Sequence, residues 1–401
     1  VSGFSIVQAR RTLLVSLVSV GMGFTVLFPV LAPLGREIGL TEIQITSIIS
    51  ASGLIVFLAS PIWGRLSDQW GRKKVMLIGL FGVSAGTALF TSVLAMGLAG
   101  ILTGTAVFLA LVGTRMLHAT VMAASMPAAN AYMADITDAR TRTKGMGAAG
   151  AANNLGSILG PAFSGLAVIT LLAPLWLMVA IALLNGLFVW RFLREPPRQR
   201  SPMRRPRMRY TDPRILPFVI VGVLMFTGMG IVQQTMGFRF QDALGLEAGE
   251  TAQKVGFAMM LSAGGSLFAQ GVIVQRIAIA PFMLLRLAMP VLILAFVMMS
   301  VLSSQLWLTL AMGVFGVGMG LAGPGFMAGA SLAVSPDEQG SVAGVAGSCG
   351  PLGFTIGPLA GGVLYQLAPE LPYAFAAAMY AVLFVLMFWL AGRVTEHEAD
   401  G

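Results

Sequence analysis

The sequence predicts an all-α integral membrane protein, with twelve transmembrane helices in two pseudo-symmetric six-helix bundles. Three observations lead there. The 401 residues are 57% hydrophobic and only 10% charged, whereas a soluble domain carries about 25% charge. The charges bound long charge-free runs, among them 12–35, 43–64, 75–114, 145–190 and 287–336, and a span needs ~20 apolar residues. A glycine-proline pattern in the first half recurs in the second at one constant offset. A transmembrane barrel would instead show alternation in segments of ~10 residues.

Read in order, the runs predict helices over 12–35, 43–64, 74–96, 103–134, 143–169 and 173–193, then 215–239, 252–275, 279–302, 306–333, 339–366 and 372–392. The runs 75–114, 145–190 and 287–336 are long enough for two passes each, and the second pass of the first continues through Arg115. Between the sixth and seventh spans lies REPPRQRSPMRRPRMRYTDPR, residues 194–214, with five prolines and a high density of arginine. Such a composition opposes a packed core. It divides the chain into an N-terminal bundle, 1–193, a basic linker, 194–214, and a C-terminal bundle, 215–401.

The net charge of +9 does not point to nucleic acid. Arg10 and Arg11 precede the first span; Arg65, Arg72, Lys73 and Lys74 separate the second and third. Arg140, Arg142 and Lys144 separate the fourth and fifth, and nine arginines from Arg191 to Arg214 separate the sixth and seventh. These connections alternate onto one face, which is the positive-inside pattern. The expectation is a multi-pass protein of the cell's inner (plasma) membrane with both termini cytoplasmic, and with arginines of the linker close to anionic lipid headgroups. No cleaved signal peptide is expected, because the first apolar run exceeds a signal h-region. The single cysteine, Cys349, lies within a predicted helix and reads as a packing residue.

The fifth predicted span carries Gly147, Gly156, Gly160-Pro161 and Gly165; the eleventh carries Gly344, Gly353, Gly357-Pro358 and Gly361-Gly362. Every position is shifted by 197 residues, with Ser164 opposite Gly361. Five matches at one offset imply a duplicated six-helix unit, an arrangement common in transporters. Glycines let helices approach closely, and proline removes a backbone donor and bends its helix. Gly156, Gly160, Pro161, Gly357, Pro358 and Gly361 are therefore predicted helix-packing positions.

Between the second and third spans stands Gly64-Arg65-Leu66-Ser67-Asp68-Gln69-Trp70-Gly71-Arg72-Lys73-Lys74, read as a compact loop in which Gly64 and Gly71 permit turns. Asp68 is its one acid among four bases, able to pair with Arg72 or with a helix N-terminus. Asp135, Arg140 and Arg142 could extend the network. The spacing G-x-L-x-D-x-x-G-R-K-K resembles the signature of the major facilitator superfamily in its loop between spans two and three. By that resemblance Gly64, Asp68, Gly71 and Arg72 form a gate that holds the cytoplasmic side shut in the outward-facing state. The matching region of the second half, 271–286, keeps only Arg276 and Arg286 and no acid, so any gate there is vestigial.

The glycine pattern G-x8-G-x3-G-P-x2-G-G is similar to the fifth-helix motif of the superfamily's drug:proton antiporters. Arg115-Met116-Leu117-His118-Ala119 resembles their fourth-helix motif R-x-x-Q-G, with His118 in place of glutamine and Ala119 in place of glycine. Independently of the resemblance, every acid lies near a span end, and ionisable residues at membrane depth mark function. Arg115 and His118, three residues apart on one helical face, are thus candidates for binding substrate or protons. His118 is the mid-membrane group whose unperturbed titration falls near neutral pH. Asn154 in the fifth span and Gln234 in the seventh are further polar candidates, beside Asn153, Gln233, Thr235, Arg239 and Gln270. Each of these can instead bond a neighbouring helix.

The resemblance implies a secondary active transporter, not an enzyme. It would export small amphipathic organic molecules (drugs, siderophores or metabolites) by alternating access around a site between spans 1, 4, 7 and 10. Protons would be the coupling partner, a monomer the expected state, and no metal or other cofactor is implied. Many drug:proton antiporters carry a carboxylate in the first helix, whereas TLLVSLVSVGMGFTVLFPVLAPLG has none. His118 or Asp135 would then replace it, or the substrate would carry the coupled charge, or transport would be passive. The alternative is an uptake carrier or facilitator for a small organic anion, which Arg115 and the missing acid favour.

Overall fold

The computed structural model describes residues 5–138, 141–196, 208–276, 279–335 and 338–399, without the side chains of 142–143 and 388–399. The described residues are α-helical, with no strand among them. In order the helices are α1 (Ile6–Thr25), α2 (Phe28–Glu37), α3 (Glu42–Trp70), α4 (Arg72–Leu98), α5 (Gly104–Met122), α6 (Ser125–Asp135), α7 (Arg142–Ala162) and α8 (Ala173–Phe192). There follow α9 (Leu216–Leu244), α10 (Ala248–Phe268), α11 (Pro281–Val301), α12 (Gln305–Leu332), α13 (Gln339–Leu367) and α14 (Leu371–Ala399).

Among the described residues ten helical segments are long and apolar enough to cross a membrane, taking α1 with α2 and α5 with α6 as single segments, and Leu371–Met387 is a shorter apolar helix. The remaining expected span corresponds to α7, whose many small residues lower its apolar character. Large apolar side chains such as Leu109, Leu184, Leu294 and Val385 are more than half exposed. A bilayer solvates such a surface and water does not.

The prolines explain where predicted single helices are divided. The first span breaks at Val26–Leu27, just before Pro29, and the fourth at Ala123–Ala124, before Pro127. The fifth ends in a 3-10 turn, Phe163–Val168, after Pro161. The eighth finishes in a π-helical turn, Ala269–Val274, containing Gln270 and Gly271. Local caps set other ends. Ser5 accepts from the Gln8 N–H at the start of α1. Thr41 and Gln44 form a reciprocal capping box on α3, which satisfies two otherwise unpaired donors.

The chain forms two compact units, Val1–Met203 with Leu246–Gly256, and Arg204–Gly245 with Phe257–Gly401. In the first, Leu13 and Leu17 of α1, Met76 and Leu80 of α4, Tyr132 of α6 and Val189 of α8 share one buried cluster. Here α7 lies against α1 so closely that a Cβ at Gly156 would overlap the Val18 carbonyl, and one at Gly160 the Thr25 hydroxyl. The second unit repeats the device. A Cβ at Gly357 on α13 would overlap the Thr227 carbonyl of α9, and one at Gly353 the Phe226 side chain. A Cβ at Gly361 would come 2.9 Å from the Thr235 methyl. The outer repeat positions Gly147 and Gly344 face open space, so only the middle of the repeated pattern makes close backbone contacts.

The candidate gate and the buried Arg115–His118 pair

The segment from Gly64 to Lys74 is not a loop. α3 continues as helix through Trp70, Gly64 sits inside it, and α4 starts at Arg72. Gly64 therefore makes no turn, which corrects the expectation for that residue. A helix emerging from lipid keeps its backbone hydrogen bonds by remaining helical, and the polar residues past Gly64 supply the solvated end. The whole reversal falls on Gly71, with φ 103° and ψ 148°, a region open essentially to glycine.

Arg72 is the hub of the reversal. Its Nη2 lies 2.6 Å from Asp68 on α3, and its Nε 2.8 Å from Asp135 at the end of α6. Its Nη1 donates to the Ser67 hydroxyl at 2.7 Å. Asp68 is exposed, whereas the Arg72 and Asp135 side chains are mostly covered. The helix N-terminus that Asp68 was expected to compete for is taken by Glu195. Its carboxylate accepts from the backbone N–H groups of Arg72 and Lys73, where an anion is favoured. Lys73 Nζ donates to the Trp190 carbonyl at 2.8 Å, and the Tyr132 hydroxyl donates to the Arg194 carbonyl. One cluster thus joins α3, α4, α6 and the exit of α8. Arg140 and the Arg142 side chain lie outside the described residues.

Arg115 and His118 are buried on α5, near the middle of the continuous stretch Gly104–Asp135. Arg115 Nη1 is 2.6 Å from His118 Nδ1. The guanidinium also lies over the Phe90 ring of α4, 5.7 Å from its centroid, a favourable placement for a cation. The imidazole fits against Gly86 of α4, where a Cβ would come 2.8 Å from the ring. Arginine has donors only, so Nδ1 must be the acceptor and the ring proton sits on Nε2. His118 is then a neutral imidazole. Among the described residues Arg115 Nε and His118 Nε2 have no hydrogen-bond partner, although buried polar groups are nearly always satisfied.

The other candidates scatter. Asn154 is exposed on α7. Gln234 is buried on α9 with Nε2 unpartnered, and neighbouring Gln233 has an unpartnered Oε1. Thr235 donates to the Ile231 carbonyl and meets the Tyr373 hydroxyl at 3.0 Å. Gln270 donates to Ser266 within its own helix. Arg239 is buried and tied to Glu370 at 2.9 Å and to the carbonyls of Ser300 and Leu302 at the end of α11.

A profile of the Major Facilitator Superfamily matches residues 13–353. The chain belongs to that superfamily. It is 28% identical over 383 residues to multidrug resistance protein 1 of Bacillus subtilis, covering 92% of this chain and 93% of the relative. It is also 28% identical over 400 residues to the class C tetracycline resistance protein of Escherichia coli, at 92% and 93% coverage. Among solved structures it resembles the human organic anion transporter MFSD10 (TM-score 0.65, 20% identity, 96% of this chain and 100% of that one). The nucleoside transporter NupG is similar too (TM-score 0.71, 15% identity, 94% and 98%). These two likenesses speak to fold alone. The protein is thus a superfamily transporter and a multi-pass membrane protein. The fold brings Asp68, Arg72 and Asp135 together, and Arg115 with His118, as the sequence pairs them; Glu195 as the cap of α4 had no sequence signal, because the partners are separated by more than a hundred residues.

Proposed function

We propose that this transporter exports small amphipathic organic molecules by alternating access, in exchange for protons. It would reside in the inner (plasma) membrane as a monomer surrounded by lipid, with both termini cytoplasmic. The observation that carries the reading is the buried Arg115–His118 pair within a stretch of two spans that is otherwise uncharged from 75 to 134. Placing a cation and a titratable ring at that depth is costly, and it yields no ion pair with an acid among the described residues. Full-length similarity to two drug resistance proteins supports export and the class of cargo.

In this reading the Arg72 cluster holds the basic face closed, and transport requires Arg72 to part from Asp68 and Asp135. Its pair with Asp68 suits that task, because Asp68 is exposed and an ion pair at the surface is worth about 0–1 kcal/mol. Gln234, with an unpartnered buried amide, offers a further substrate contact in the second unit, and exposed Asn154 another in the first.

The test is growth and efflux across a broad compound panel in efflux-deficient bacteria, comparing wild type with Arg115→Ala at equal expression. Resistance lost in the variant supports the proposal; full resistance in the variant removes Arg115 from the mechanism. A second reading, a carrier or facilitator for a small organic anion, is favoured by the lack of an acid partner for Arg115 among the described residues. Uptake of labelled organic anions into de-energised vesicles would support that reading, and absence of uptake would oppose it.

A further inference from the structure

We infer that His118 is the proton-coupling residue of this transporter, and that it works by exchanging its Arg115 partner for a proton on the same nitrogen, Nδ1. The inference rests on the antiport reading above and adds a named atom to it.

The argument is one of hydrogen-bond capacity. A neutral imidazole has one acceptor nitrogen, and an imidazolium has none. The His118 acceptor is occupied by Arg115 Nη1 at 2.6 Å. A proton arriving at Nδ1 therefore cannot coexist with that bond, since two donors would then face each other. Protonation and the Arg115 contact are mutually exclusive states of one side chain. Arg115 is poised to leave, because among the described residues its Nε makes no hydrogen bond and the guanidinium otherwise rests on the face of Phe90. The proton comes from water and returns to water on the other side, so the cycle transfers no other atoms.

The surroundings leave no competitor for this role. Packed against α5 are α3, α4 and, through the α4 contact, the Gly86 and Phe90 surface. The stretch 43–64 of α3 and the stretch 75–98 of α4 contain no acid or base. The first span, 12–35, has none either, and Asp135, at the far end of α6, is engaged by Arg72. Arg115 is the one charged group that the described residues bring to the ring. A bilayer-depth histidine with a single exchangeable partner is the arrangement a proton switch needs.

Two measurements test it. The chain has two histidines, so a His397→Asn protein in lipid nanodiscs leaves one imidazole to observe by nitrogen NMR. The expected spectrum at alkaline pH is the neutral ring with its proton on Nε2. It should convert to the doubly protonated ring within the pH range over which transport changes. A ring that carries its proton on Nδ1, or that stays neutral throughout that range, overturns the inference. The second measurement uses proteoliposomes with ethidium and tetracycline as probes, scoring transport with and without an imposed pH gradient. Wild type should be stimulated at least about tenfold by the gradient. His118→Gln, which keeps an acceptor for Arg115 but cannot titrate, should show a ratio near one. Wild type insensitive to the gradient defeats the antiport reading itself. Wild type stimulated together with an equally stimulated His118→Gln defeats this inference alone. If the variant transports neither probe, the NMR result decides.

Discussion

Arg72 reaches Asp135 through Nε at 2.8 Å while its Nη2 holds Asp68 at 2.6 Å, so one guanidinium ties the end of α6 to the end of α3. The two carboxylates are not equivalent. Asp68 is 63% exposed and Asp135 only 23%, so water competes for the first bond more than for the second.

Asp68→Asn should accordingly leave folding nearly intact, with a stability change under about 1 kcal/mol, yet abolish transport if the gate assignment is right. Asp135→Asn should cost more stability, because it strips the better-covered partner from Arg72. Thermal unfolding in detergent and transport in proteoliposomes, run on both variants, check this. An Asp68→Asn protein that transports at the wild-type rate removes that residue from the gate.

Gly71 and Glu195 form a second coupled pair. A Cβ on Gly71 would lie 2.9 Å from Glu195 Oε1, and its φ of 103° already excludes other residues. Gly71→Ala should destabilise by about 1–3 kcal/mol from backbone strain, with the collision added. Glu195→Ala, which uncovers two N–H groups at the start of α4, should cost roughly 0.5–2 kcal/mol, as loss of a cap does. Because Glu195→Ala also removes the collision, the double variant should be less destabilised than the sum of the singles. Strict additivity would show that the carboxylate does not crowd Gly71.

The glycine repeat yields a contrast of sign. Ala at Gly156 or Gly357 would meet a backbone carbonyl of the neighbouring helix, which cannot yield as a flexible side chain can. Such overpacking should cost about 1–3 kcal/mol. Ala at Gly147 or Gly344 meets nothing within 4 Å and should stabilise by ~0.5–1 kcal/mol through helix propensity. Melting temperatures of the four single variants decide it; a uniform response would mean that the repeat is not read position by position.

Much of this was legible in the sequence because lipid enforces simple rules. Charge-free length located the spans, and the 197-residue offset located the paired glycine helices. Arg115 and His118 stood out because charge at membrane depth is rare. Less legible was anything set by a remote partner. Gly64 read as a turn because glycine permits one, but permission is not compulsion, and α3 runs on to Trp70. Glu195 is an acid within the arginine-rich linker, and only the fold brings it to α4. Arg239 read as a neighbour of the polar Gln233–Thr235 stretch; its bonds to Glu370 and to the end of α11 depend on helix positions that no local pattern encodes.

The entry to α9 carries the prediction that depends on pH. Arg214 bridges Asp212, two residues before it, and Glu338 at the start of α13, each at 2.9 Å. Hydrogen bonds from Arg214 are the main cause that holds both carboxyls below their ordinary range, and the same bonds raise the guanidinium above its own. A carboxyl whose folded value is depressed contributes stability that is present above its unfolded value and is lost as pH falls through the folded one. The unfolded values are near 4. The bridge should therefore persist unchanged from neutral pH down to about 5 and weaken only below ~4. The raised guanidinium keeps its charge across that whole range. The Arg214 side chain is about half exposed, so salt should weaken the bridge as well. Hydrogen exchange at the first turns of α9 and α13, followed against pH and salt, measures it. Arg214→Gln should give at neutral pH the faster exchange that wild type shows only in acid, and a pH response unchanged by that substitution would mean that other groups hold these helix ends together.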